Sequence, residues 1–122
     1  MTVDDHEEVR RALRNLLRTQ AGWEVVGEAE DGAEAVRKVN QLKPDVVIMD
    51  ISMPMMSGLD ATRLILEAAP ETRVVIFTMY DSEEVKQSVL KAGARGYVLK
   101  SHAECDLIAA IKAVSCPFAK AV

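Results

Sequence analysis

No apolar run in this 122-residue chain approaches the roughly 20 residues needed to span a bilayer, so no membrane segment is expected. Met1 to His6 lack the basic and apolar blocks of a secretory signal. Basic charge is not in excess either. Fifteen Lys and Arg stand against 19 Asp and Glu, and a net charge of −4 argues against nucleic-acid binding by this domain itself. Cysteine is scarce: Cys105 and Cys116 fit neither a disulfide framework nor a zinc site by spacing. On one helix they would share a face about 16 Å apart, too far to bridge. They read as packing residues of a reduced, cytosolic protein. Repeats, low-complexity tracts and internal linkers are missing as well, which leaves a single domain.

What is present is a run of regular alternation. Apolar residues make up 49% and charged residues 28%, enough for one packed core. Val46-Val47-Ile48-Met49 and Val74-Val75-Ile76-Phe77 are continuous apolar runs, the pattern of strands buried on both faces of a parallel sheet. Met1-Thr2-Val3, Trp23 to Ala29 and Tyr97-Val98-Leu99 supply three more strands. Helices are expected over Glu7–Gln20 (with Asp5 and Glu8 as a reciprocal cap), from Asp31-Gly32 to before Pro44, and over Leu59–Ala69. Two more follow, one from Ser82 to Gly93 and one over Ala103–Val114. Strand and helix alternate five times, which implies an α/β, doubly wound, five-stranded parallel sheet with helices on both faces.

In such a sheet ligands bind at the carboxyl ends of the strands. Four strands end there in polar residues: Asp4-Asp5, Asp50, Thr78 and Lys100. Taken singly, each has a plainer reading. Asp5 suits a helix cap, Asp50 a turn, Thr78 any strand, and Lys100 a solvated end. Together they would set three carboxylates, a hydroxyl and an ammonium around one cleft, and like charges gathered without a cation are costly. Carboxylate oxygens suit Mg²⁺ with retained waters. A carboxylate beside Mg²⁺ and a lysine is equipped to take a phosphoryl group.

With these residues in view, the whole chain resembles a receiver (response-regulator) domain of bacterial two-component signalling, which implies the flavodoxin-like strand order 2-1-3-4-5. The motifs are Val3-Asp4-Asp5-His6, Val47-Ile48-Met49-Asp50, Met53-Pro54-Met55-Met56-Ser57-Gly58, Phe77-Thr78-Met79-Tyr80 and Gly93 through Lys100. Asp-Asp-His and Thr-Met-Tyr-Asp resemble receivers that precede a LuxR-like helix-turn-helix. The resemblance implies that Asp50 is phosphorylated by a sensor histidine kinase. It implies Mg²⁺ on Asp5, Asp4, Asp50 and the main-chain carbonyl of Ser52, and Lys100 and Thr78 on the phosphoryl group. It makes Thr78 and Tyr97 the switch pair, although an aromatic in a strand otherwise reads as core. Ser52 and Tyr80 flank the site, and His6 reads as a helix-start residue, not a ligand. DNA would be reached through a C-terminal domain absent from this chain, with a homodimer allowed.

The expected organisation is a receiver at 1–116 and the start of a linker or tail at 117–122. The alternative is a stand-alone receiver acting by phosphorelay or docking; in either case it is a switch and not a multiple-turnover enzyme. Three departures from the family pattern stand out: only three residues precede Asp4, Ser101 follows Lys100 where many receivers have proline, and Met79 occupies a place often small. Rival readings fare worse. A phosphohydrolase needs a general acid at Ser52, and a flavodoxin-like carrier needs a phosphate cradle where Asp4-Asp5 would repel one. A scaffold with a dead site is at odds with the intact polar set.

Overall fold

A computed structural model describes residues 1–114, the side chains of 103–105 excepted. The Cys116 reading and the expected 117–122 linker lie outside the described residues, as does the side chain of Cys105. The elements are β1 (Thr2–Val3), α1 (Glu7–Arg18), β2 (Glu28–Ala29), α2 (Gly32–Leu42), β3 (Val46–Met49) and α3 (Gly58–Ala68). They continue with β4 (Arg73–Thr78), α4 (Glu83–Lys91), β5 (Gly96–Leu99), a 3₁₀ turn at Lys100–His102, and α5 (Ala103–Val114). The five strands form one parallel sheet in the order β2-β1-β3-β4-β5. That is the expected doubly wound topology. Among the described residues no helix is long and apolar enough to cross a membrane.

Central strands are apolar at every position because both their faces are covered. Val47 and Met49 of β3 pack with Val39 of α2 and Ile65 of α3. Val46 and Ile48 point the other way, against Leu13 and Leu17 of α1 and Leu107 and Ile111 of α5. Each fully buried Ile or Leu contributes about 1.5–3 kcal/mol, so the two layers dominate the stability. The helices start where short polar side chains satisfy free amides: Asp31 accepts from Glu34 N, Ser57 from Asp60 N, and Ser82 from Val85 N. Gly93, at φ +97°, turns the chain after α4.

Three local expectations change. The second strand, expected over Trp23–Ala29, is regular only at Glu28–Ala29. An edge strand is no longer than its partner allows, and β1 offers Thr2 and Val3 alone. Trp23 and Val25 pack instead beneath the α1 and α5 face. Helix α1 ends at Arg18, and its cap position is His6, not Asp5. The His6 amide is taken by the Asp4 carboxylate at 2.9 Å, which leaves Asp5 outside the cap. The chain also makes a 3₁₀ turn at Lys100–His102, with the Lys100–Ser101 peptide trans.

Candidate functional site

The parallel ladders bring the polar residues together. Val3 pairs with both Ala29 and Met49, so Asp4 and Asp50 leave neighbouring strands side by side. Backbone bonds fix them there, Asp4 N to Ala29 O at 3.1 Å and Asp50 N to Val3 O at 3.0 Å. Thr78 pairs with Leu99, which places Lys100 just past the end of β5. Its long side chain crosses back over β4, with Nζ 5.8 Å from the Phe77 ring centroid. Nζ then lies 2.8 Å from Asp4 Oδ2 and 3.4 Å from Asp50 Oδ1. Asp4, Asp50 and Lys100 thus form one ion cluster, and both carboxylates are buried.

The other expected residues surround this cluster. Asp5 is partly exposed, and its carboxylate lies 3.0 Å from His6 Nδ1, which is also 3.3 Å from Asp4. Thr78 is fully buried at the end of β4, and its hydroxyl accepts the Tyr80 amide at 3.1 Å. Ser52 Oγ bonds the Tyr80 hydroxyl at 3.1 Å, which closes the exposed rim. The Tyr97 hydroxyl donates to the Tyr80 main-chain carbonyl, while its ring packs on the core under α4. Tyr97 is therefore both core and tether, and one chain of contacts runs from Ser52 through Tyr80 to Tyr97. Met79 and Tyr80 leave substantial apolar surface open beside the cleft.

Electrostatics in the cleft are strained. Burial, then the charge of Asp4, pushes the Asp50 carboxyl above its ordinary pKa; Lys100 and the Ser52 amide pull it back only in part. Burial works to lower the Lys100 pKa, but the hydrogen bond to Asp4 and the charges of Asp50 and Asp4 outweigh it and raise it. One ammonium faces more carboxylate than it neutralises. The elevated Asp50 reflects burial first and the neighbouring Asp4 charge second, and the carboxylates gathered around the cleft offer hard oxygens. Candidate ligand atoms of Asp4, Asp5 and His6 lie within 4.8 Å of one another. The carboxylate oxygens of Asp4 and Asp5 in this group fit a hard divalent cation such as Mg²⁺, whereas the His6 nitrogen is not a donor of that kind.

The cluster lies at the carboxyl ends of the strands, where open parallel sheets bind their ligands. The family profile described as response regulator receiver domain matches residues 1–112, and the chain belongs to that family of two-component signalling proteins. It is 49% identical over 113 residues to oxygen regulatory protein NreC of Staphylococcus carnosus (strain TM300), covering 92% of this chain and 52% of the relative. The chain thus spans about half the length of the curated relatives it matches. Among solved structures it resembles a LuxR-family two-component response regulator from Aurantimonas sp. SI85-9A1. That pair shares 40% identity and a TM-score of 0.90, over 93% of this chain and 81% of the other. CheY in the CheX–CheY–BeF₃–Mg²⁺ complex from Borrelia burgdorferi is 27% identical, with a TM-score of 0.86 over 93% and 85%.

Arg10 is a residue beside the acid pair that sequence reasoning passes over. It is buried, and its Nη1 donates to the Asp4 main-chain carbonyl at 2.7 Å. A signal was available: Arg10, Leu13 and Leu17 share the inward face of α1, and an arginine on that stripe needs a partner.

Proposed function

We propose that this domain is a phosphorylation switch in which Asp50 takes a phosphoryl group from a sensor histidine kinase and passes the change to an output domain. The observation that carries this reading is the Asp4–Lys100–Asp50 cluster at the strand ends. An oxygen of Asp50 attacks phosphorus, the O–P bond forms as the N–P bond of the phosphohistidine breaks, and the imidazole leaves with the electron pair and takes up a proton. Lys100 leaves its carboxylate partners to bind the arriving phosphoryl oxygens. Thr78 turns its hydroxyl from the Tyr80 amide to the phosphoryl group, and Tyr97, bonded to that residue's carbonyl, is the element that senses the change. Asp5, Asp4, Asp50 and the Ser52 carbonyl would hold Mg²⁺. When bound, it neutralises charge on the transferring group. The Mg²⁺ of the Borrelia CheY complex supports this choice of ion.

The similarity to LuxR-family regulators supports a DNA-binding output domain beyond a 1–116 receiver, with 117–122 opening the linker. A cytoplasmic location and slow, single-turnover loss of the phosphoryl group complete the reading. Intact mass after incubation with acetyl phosphate tests it. One phosphoryl adduct is expected in wild type with Mg²⁺, and none in Asp50→Asn or in EDTA. An adduct that persists in Asp50→Asn would overturn the assignment.

A further inference from the structure

We infer that Arg10 is a positioning residue for the cation site: it sets the Asp4–Asp5 peptide and so aims the Asp5 carboxylate. This rests on the cation-dependent reading above. Strand β1 contributes only Thr2 and Val3 to the sheet, so regular pairing ends just before the acid pair. The next carbonyl, that of Asp4, belongs to the peptide joining the two acids, and Arg10 Nη1 occupies it at 2.7 Å. The side chain of Asp4 is already held by Lys100 and the His6 amide. Asp5 meets only the exposed His6 ring among the described residues, at 3.0 Å and outside the sheet, so its direction depends on the orientation of the peptide before it.

The guanidinium is itself braced from the side. Nε lies 3.3 Å from Glu28 Oε1 and Nη2 lies 3.8 Å from Glu30 Oε1. Arg14 pairs with the other oxygen of Glu28, and Lys38 Nζ holds the Glu28 carbonyl at 2.5 Å. Five donors in a fixed plane let one arginine serve the carbonyl and the carboxylate together; lysine has no such fork. A guanidinium present only for stability would be satisfied by the glutamates. The bond to the Asp4 carbonyl is what connects it to the metal ligands.

Calorimetric titration with MgCl₂ tests this on the whole chain, with thermal melts in EDTA alongside. Supports of metal ligands typically change affinity 10–100-fold, so Arg10→Gln should weaken Mg²⁺ binding about tenfold. Arg10→Lys, with fewer donors, should recover only part of the loss. Glu28→Gln, which loosens the brace but leaves the acids and Arg10 in place, should weaken binding about threefold, below the loss of Arg10 itself. A purely structural Arg10 would lower the melting temperature and leave Mg²⁺ affinity within twofold, and that result overturns the inference. If Arg10→Gln does not fold, unchanged Mg²⁺ affinity in Glu28→Gln overturns it equally. A wild type that binds Mg²⁺ in an Arg10-dependent way but takes no phosphoryl group would sink the function and leave this inference standing.

Discussion

The two sides of the acidic cleft are held by different physics. Asp4 and Asp5 leave a two-residue strand whose last backbone bond is Asp4 N to Ala29 O, and beyond it charged side chains secure the corner: Arg10, Arg14 and Lys38 around Glu28. Asp50 leaves the four-residue β3, which is paired along its whole length with β4, and backbone contacts secure the loop beyond it. Gly58 N donates to Ile51 O at 2.9 Å, so α3 begins pressed against the end of β3. The Asp50 loop should therefore fail by steric change, with its backbone contacts insensitive to salt. The Asp4–Asp5 side should respond to charge and ionic strength, within the limits set by partial burial.

Gly58→Ala should show the largest effect. A β-carbon there would lie 1.9 Å from the Asp50 carbonyl oxygen and 2.9 Å from Ile51 Cα, both of them backbone atoms with little room to yield. A loss of about 3 kcal/mol or more is expected, lowering the melting temperature by roughly 10 °C. Adding about 0.5 M NaCl should leave that deficit unchanged. A deficit that shrinks with salt would erase the distinction between the two sides.

Asp50→Asn probes the seam where the sides meet, and its sign follows from the raised pKa. An acid whose folded pKa lies above its unfolded value is penalised when ionised. Stability is therefore lost as pH rises from the ordinary value, 3.8, through the raised one. Above that window the substitution removes the penalty. In EDTA at pH 7, Asp50→Asn should melt about 2–4 °C above wild type, and the gain should vanish as pH falls below the window. Mg²⁺ should reverse the ranking, because it stabilises the wild type by binding a carboxylate that the variant lacks. A variant less stable than wild type in EDTA would mean that the Lys100 contact outweighs burial and Asp4.

Which parts were legible in the sequence follows the same division. Strands β3 and β4 are buried on both faces, so their continuous apolar runs announced them, and the polar residue closing each run marked the cleft. Asp50 and Thr78 were found in that way. The length of β2 could not be read from its own residues, because β1 sets it; Trp23 and Val25 alternate like a strand yet pack as a covering segment. Asp5 had the spacing of a cap, but Asp4 took the His6 amide from one residue earlier. Arg10 was missed for a related reason. A charged residue on a helix reads as solvent-facing until a buried carbonyl is found to need it.

The smallest predicted effect tests how firmly backbone governs the Asp50 side. Met55 has φ +71°, and Met56 N donates to Pro54 O at 2.8 Å, so Met55 is the centre of a tight three-residue turn. A left-handed conformation costs a residue with a side chain roughly 1–2 kcal/mol. The Met55 side chain is 94% exposed, so truncating it forfeits little packing. Glycine would remove the conformational penalty but gives back roughly 0.5–1 kcal/mol through the freedom it gains in the unfolded chain. Met55→Gly should therefore stabilise by about 0.5 kcal/mol, seen as a small rise in the urea midpoint with an unchanged slope. If the midpoint rises, the turn is imposed by the bonds around it, chiefly Gly58 to Ile51, and Met55 tolerates it. If it falls, the methionine itself helps to hold the loop, and the Asp50 side depends on a side chain after all.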